Sequence, residues 1–236
     1  VLSPVKVAES YGNEVIFLFL GGFIIAMSMQ RWNLHRRIAL HIIRLVGTSP
    51  RRLVLGFMVA TAFLSMWISN TATAMMMIPI AVAIILTIIP GTEQSLVNLE
   101  GKDRDLARCL VLSIPYAASI GGIATIIGTP PNGIFISQLP AIFPEAPTID
   151  FFTWMKFGVP FAALFLIIAW IWLTMVSYRH METTLPSAKG LIRKELDKLG
   201  PLSTGERWTL IVFVLTAFAW IFEQTKDIGG FIIPGL

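Results

Sequence analysis

The chain is poor in the residues that build most active sites. Its 236 residues include one cysteine and three histidines. Cys109 has no partner for an internal disulfide and belongs to no Cys-x-x-Cys pair, which excludes a disulfide scaffold and cysteine-based zinc or redox chemistry. His35, His41 and His180 fall in no His-Glu-x-x-His spacing. Charge is scarce too: 14% of residues are Asp, Glu, Lys or Arg, against about 25% in a typical soluble domain. Five stretches contain none of the four: Val15–Gln30, Leu53–Thr92, Cys109–Pro144, Phe157–Tyr178 and Trp208–Phe222. Without a carboxylate or lysine in such a run, a proton pump or antiporter lacks its usual relay, and a voltage sensor lacks its arginines. The paired Asp, Ser–His pair or zinc motif of an intramembrane protease is missing as well.

What is present is apolar. Hydrophobic residues make up 55% of the chain, with 16 Phe and 7 Trp, and the mean hydropathy is +0.75. That composition describes a chain solvated by lipid. The net charge of +4 hides a pattern. Arg31, Arg36, Arg37, Arg44, Arg51 and Arg52 occupy one segment without a single acid. A second basic region runs from Arg179 to Arg207 through Lys189, Arg193, Lys194 and Lys198, whereas Leu139–Phe152 holds Glu145 and Asp150 and no base. Both basic regions flank apolar runs directly, which points to membrane topology and away from nucleic acid. Short loops rich in Lys and Arg stay on the cytoplasmic side, so 31–52, 93–108 and 179–207 are expected inside.

A membrane span needs about 20 apolar residues. Phe157–Tyr178 fits one, with Trp154, Trp170, Trp172 and Tyr178 as interface anchors. Trp208–Phe222 makes another, lengthened if Thr204 caps it, and Val15–Gln30 a third if it extends back through Tyr11. Leu53–Thr92 is two arms long, yet its centre reads Ser65-Met-Trp-Ile-Ser69-Asn70-Thr71-Ala-Thr73. Irregular polar backbone at membrane depth survives only beside protein or a water-filled cavity. The segment is therefore expected to be a re-entrant hairpin with its tip at Ser69–Thr71. Cys109–Pro144 is interrupted by Gly128-Thr129-Pro130-Pro131-Asn132-Gly133. Two prolines cannot both continue a helical ladder, and the segment is expected to be a helix broken near mid-membrane. Trp32–Val46 is amphipathic, with Leu34, Ile38, Ile42 and Leu45 on one face, and Leu191, Ile192, Leu196 and Leu199 form a similar stripe. Such helices lie in the bilayer interface.

The expected fold is an all-α polytopic membrane protein. Its parts are 1–52, a span and an interfacial helix; 53–92, the hairpin; 106–144, the broken helix; 153–178, a span; 186–200, an amphipathic cytoplasmic helix; and 204–236, a further helix. A neutral hairpin beside a neutral broken helix is the interrupted pair that marks a transporter site. Hydroxyl and carbonyl oxygens at a break replace the water shell of a small cation, and helix N-termini hold an anion without Lys or Arg.

These motifs are also specific. The Ser65–Thr73 run followed by Pro79 resembles the Ser-Asn-Thr hairpin of the divalent anion:sodium symporter family. Tyr116-Ala-Ala-Ser119-Ile-Gly121-Gly122 through Gly128-Thr129-Pro130-Pro131-Asn132 is similar to that family's broken helix. Phe17-Leu-Phe-Leu-Gly21-Gly22-Phe23 and Leu34-His35-Arg36-Arg37-Ile38 resemble the helix and arm ahead of the hairpin. The resemblance implies Na⁺-coupled symport of a dicarboxylate or citrate by a homodimer in the plasma (inner) membrane. An elevator motion would carry 53–92, 106–144 and 153–178 past a scaffold that includes 1–52 and 204–236. It implies a sodium site at Ser65, Ser69, Asn70 and the backbone of Gly128, and substrate contacts from Ser69, Asn70, Thr71 and Thr129. Na⁺ is the implied coupling ion, no catalytic residue is implied, and no nucleic acid is involved. The family has two inverted repeats with a hairpin each, so this chain is expected to represent about half of the architecture. Still open at this level are a Na⁺-independent exchanger, a sulfate, metal–citrate or arsenite carrier, and a non-transporting membrane subunit.

Overall fold

The computed structural model describes residues 12, 14–47, 49–89, 99, 101–181, 188–228 and 231–235. The expected extension through Tyr11, the hairpin end at Pro90–Thr92, most of the 93–100 loop and the start of the 186–200 helix lie outside them. The described helices are α1 (Glu14–Arg31), α2 (Leu34–Val46), α3 (Pro50–Ser65), α4 (Asn70–Ile88), α5 (Gly101–Gly122), α6 (Pro130–Ile142), α7 (Phe151–Ile171), α8 (Ala188–Lys198) and α9 (Thr204–Ile221). A π-helical turn, Trp172–Ser177, prolongs α7. The all-α expectation holds apart from one small antiparallel pair, Lys226–Ile228 with Phe231–Ile233. The expected helix over 204–236 thus stops at Ile221, ahead of a stretch with Gly229, Gly230 and Pro234, all poor helix formers.

Three described helices are long and apolar enough to cross a bilayer: Asn70–Ile88, Phe151–Ser177 and Thr204–Ile221. Val15–Arg31 and Leu34–Val46 pass the same test only as a pair, bent by 76°. The bend sits at Trp32–Asn33, where Asn33 takes a left-handed conformation, φ 56°, one that Asn adopts more readily than most residues. His35 steadies the bend, its Nδ1–H donating to the carbonyl of Met29 at 3.1 Å.

The core is a stack of α2, α3, α5 and α4, with α5 lying against both arms of the hairpin. Small residues set the spacing. A Cβ on Gly121 would sit 2.5 Å from the Cα and 2.7 Å from the carbonyl carbon of Ala62, so α5 and α3 touch backbone to backbone. A Cβ on Gly56 would lie 3.1 Å from the Cα of Ile43, a close but less intimate approach of α3 to α2. Close crossings at small residues are how helices pack where lipid removes the hydrophobic drive between them. The packed face of α2 consists of Leu34, His35, Ala39, Leu40 and Ile43. Of the stripe read from sequence, Leu34 belongs to this face, Ile38 and Ile42 are half-buried and pack at its edge, and only Leu45 is exposed, at 85%. The packed face extends beyond that stripe to His35, Ala39 and Leu40, a mixture that hides it in the sequence.

The two basic regions meet. Arg37 donates from Nε to Glu206 Oε1 at 2.8 Å and from Nη2 to Oε2 at 3.2 Å. It also reaches the carbonyls of Leu199 and Gly200 at 3.2 and 3.1 Å. Arg36 and Lys198 both pair with Glu195, each at 2.5 Å. Glu206 doubles as the N3 residue of a capping box with Ser203, so the cap of α9 is Ser203 and not Thr204. α2, α8 and the start of α9 therefore share one face of the molecule. Two tryptophans expected as interface anchors turn inward by one bond each. Trp170 Nε1 donates to the carbonyl of Arg51, and Trp154 Nε1 to that of Ile123, both at 2.9 Å.

Two outcomes test this packing. Gly121→Ala drives a methyl into the Ala62 backbone, and overpacking of this kind costs about 1–3 kcal/mol or more; the thermal unfolding midpoint in detergent should fall markedly, while Gly190→Ala, in helix α8 with nothing within 4 Å of its Cβ, should leave it unchanged or raise it slightly. Glu195 is held below the ordinary carboxylate value first by its hydrogen bond to Lys198, then by the charges of Lys198 and Arg36, against the opposing pull of burial. A depressed value stabilises the fold above the unfolded value of about 4.3 and is lost as pH falls through the folded one. With both cations partly in solvent, the gain is about 1 kcal/mol or less. Glu195→Gln should therefore lower the melting temperature slightly at pH 7, and the gap should close below about pH 4.

Candidate functional site

The hairpin turn falls at Met66–Ser69, slightly earlier in the chain than the sequence reading had it. α3 ends at Ser65, and Ser69 is the N-cap of α4, its Oγ accepting from the backbone N–H of Ala72 at 3.4 Å. Asn70 and Thr71 consequently lie in the first turn of α4. The first N–H groups of a helix have no intrahelical partner, and the helix dipole adds partial positive charge there. Thr71 is exposed and Asn70 half-buried at this end.

The helix break also begins earlier than expected, at Gly122, six residues ahead of Gly128. Residues 123–129 form a series of turns, and Thr129 is the N-cap of α6 without a side-chain capping bond. Pro130 and Pro131 occupy the first helical positions, where a missing N–H is tolerated. They also strip α6 of donors that an anion would use. A polar network ties the break to its neighbours. Thr125 Oγ1 donates to the carbonyl of Met66 in the hairpin turn at 2.5 Å and accepts from the N–H of Gly128 at 3.1 Å. Asn132 Nδ2 donates to the carbonyls of Gly122 and Thr125, at 2.9 and 2.8 Å.

Hairpin and break meet at one buried cluster. Ser65, fully buried, has its Oγ 2.7 Å from Asn70 Oδ1 and 2.8 Å from the carbonyl oxygen of Ala118. A hydroxyl has one proton, so one of these two oxygens faces the Ser65 lone pairs. Asn70 Oδ1 lies against the Cα of Gly122, where a Cβ would overlap it. A Cβ on Gly128 would in turn overlap the carbonyl oxygen of Gly122 and approach its Cα to 2.9 Å. Glycine at these positions lets oxygens crowd together. A cluster of oxygens at the carbonyl end of a helix is electrostatically suited to a small hard cation. Among the described residues there is no group of three or more His, Cys, Asp or Glu that would hold a transition metal.

Of the expected residues, Ser65, Asn70 and Gly128 thus come together around Gly122. Ser69 spends its hydroxyl on the cap, Thr71 opens to the surface, and Thr129 heads α6 without joining the cluster. Sequence reasoning assigned no site role to Thr125, Asn132 and Trp154, which shape the break, nor to the Ala118 carbonyl. The one local signal was Thr125-Ile-Ile-Gly128, a hydroxyl three residues ahead of the N–H it accepts from, as in a local side-chain turn.

The family model described as the sodium:sulfate symporter transmembrane region matches residues 3–233. Among curated proteins, the sodium-dependent dicarboxylate transporter SdcS of Staphylococcus saprophyticus is 47% identical over 227 residues, covering 95% of this chain and 42% of its own length. Its counterpart from Staphylococcus aureus is 45% identical over 224 residues, with the same two shares, 95% and 42%. The chain spans less than half the length of these relatives. With the hairpin, the broken helix and the residues between them all inside the matched region, the chain belongs to the sodium:sulfate symporter transmembrane family.

Proposed function

We propose that this chain contributes one half of a Na⁺-coupled dicarboxylate symporter. The observation that carries the reading is Ser65: one buried hydroxyl within 2.7 and 2.8 Å of two acceptor oxygens. A bound Na⁺ would resolve that surplus of lone pairs. Ser65, Asn70 and the backbone at Gly128 are its proposed ligands, with the backbone of Ser69 close by in the turn. The anion is assigned to the start of α4, where Ser69, Asn70 and Thr71 bring unpaired N–H groups and hydroxyls to a carboxylate, and Thr129 adds a hydroxyl from α6. Asn70 is shared: its Oδ1 faces the cation cluster while its backbone lies in the anion-binding turn. Cation and anion would then stabilise each other's site, which is the physical content of coupling.

The rest of the reading follows the same relatives. Sodium dependence and dicarboxylates are named for them, and sulfate for the family. Citrate belongs with the dicarboxylates as a candidate substrate. The face shared by α2, α8 and the start of α9 collects the arginines and lysines, and the positive-inside tendency assigns it to the cytoplasm of a plasma (inner) membrane. The hairpin, α5, α6 and α7 would travel as a unit, with α1 and α9 as the static part of an elevator in a homodimer.

Radiolabelled succinate uptake into proteoliposomes carrying the complete gene product, with and without an inward Na⁺ gradient, tests this. Wild-type uptake should require Na⁺. Ser65→Ala and Asn70→Ala each remove a ligand to a charged species, at about 1.5–3 kcal/mol, so the Na⁺ needed for half-maximal uptake should rise about tenfold to a hundredfold. Uptake indifferent to Na⁺ would make the protein an exchanger. It would also mean that the Asn70 amide turns its Nδ2 toward Ser65 and supplies the missing proton. Na⁺-driven uptake of sulfate or citrate in place of succinate would keep the cation site and change the cargo.

A further inference from the structure

The cation cluster has no wall of its own on the side of the break. Its shape depends on where residues 123–129 lie, and the first half of α7 touches that segment and its surroundings at several points. Trp154 donates its indole N–H to the carbonyl of Ile123 at 2.9 Å. One turn on, a Cβ at Gly158 would lie 2.9 Å from the carbonyl oxygens of both Ile123 and Ala124. The absent side chain is what lets the α7 backbone press against these carbonyls. The Trp154 ring also packs against Phe135 of α6, with ring centroids 6.1 Å apart. At the start of α7, Phe151 stacks on Trp67 of the hairpin turn, centroids 6.2 Å apart. One face of α7 therefore contacts the hairpin turn, the break and the half-helix beyond it.

The Ile123 carbonyl is the reason this matters. It follows the last residue of α5 by one position, so no helical N–H can satisfy it, and it lies next to Gly122, against which Asn70 packs. Left without the indole, it would turn toward another donor and carry Gly122 with it. Buried carbonyls do not stay unpaired at low cost.

We infer that Trp154 and Gly158 are positioning residues of the cation site: they set Na⁺ affinity by holding the break against the hairpin, while making no contact with the ion. The inference rests on the cation site proposed above. Trp154→Phe keeps the ring against Phe135 and removes only the N–H. The measurement is the Na⁺ concentration that half-saturates both thermal stabilisation and succinate uptake, using the complete gene product in detergent and in proteoliposomes. Loss of this part-buried hydrogen bond corresponds to roughly a five- to tenfold rise in that concentration. Maximal uptake at saturating Na⁺ should change far less. Trp172→Phe, the same chemical change at an exposed position of the same helix, should leave the Na⁺ curve where it was. Gly158→Ala should shift it in the same direction as Trp154→Phe; should Gly158→Ala fail to fold, Trp154→Phe alone decides.

A purely structural role for Trp154 would lower the melting temperature without Na⁺ and leave the half-saturating concentration unchanged, and that result overturns the inference. Asn70→Ala run alongside keeps the two readings apart. If Asn70→Ala loses the Na⁺ response and Trp154→Phe matches wild type, the cation site stands and the brace does not. If Asn70→Ala matches wild type, the cation site itself is wrong, and the positioning role falls with it.

Discussion

The approach of α5 to the hairpin at Gly121 and Gly122 is the constraint on which the rest of the structure depends. At Gly121 the backbones of α5 and α3 touch at Ala62. One residue later, the missing Cβ of Gly122 leaves room for the Asn70 side chain. A methyl at either position would hold the two elements apart. The Ser65 hydroxyl would then no longer reach the Ala118 carbonyl, nor would Thr125 reach the hairpin turn. Everything polar in the centre of the molecule is thus conditional on two hydrogens standing where side chains usually stand.

The break in α5–α6 is an ordered element. Each exposed group created by ending a helix in an apolar setting has to be satisfied, and several carbonyls here have named donors: Asn132 for Gly122 and Thr125, Trp154 for Ile123, Thr125 for Met66. The donors come from α6, α7 and the break itself. At Ser65 one hydroxyl proton lies between two acceptor oxygens, and in the same hairpin the Trp67 indole N–H and the Thr61 hydroxyl are buried without a partner among the described residues. The proposed cation site rests on the two acceptor oxygens at Ser65.

The opposite face works by charge. Arg37 binds Glu206 through Nε and Nη2 and the carbonyls of Leu199 and Gly200, just past α8, through Nη2 and Nη1, while Glu206 also caps α9. One arginine thereby joins the arm helix to the start of the last described span. Lysine could not do the same, because a single ammonium lacks the planar fork that meets a carboxylate and two carbonyls together.

The apolar runs, the Ser-Asn-Thr turn, the double proline and the arginine clustering are all linear features. The apolar helices and the interruptions between them were legible from these features, because each follows from local solvation or local backbone chemistry; Ser65, Asn70 and Gly128 were singled out by the resemblance of their motifs to a family. The turn and the break were each misplaced by a few residues. Capping decides a boundary, and Ser69 and Gly122 do that work through partners that spacing alone does not reveal. The face of α2 was read only in part for a related reason: Leu34, Ile38 and Ile42 do pack inward, but His35 and Ala39 beside them carry no apolar signal of their own. Only the tertiary structure decided that Trp154 turns to the break, that Gly158 opens a path for α7, and that Ser65 is left with one proton between two oxygens. These are relations between segments 30 or more residues apart, such as Trp154 with Ile123 and Ser65 with Ala118, and such distances close only when glycine permits the backbones to meet.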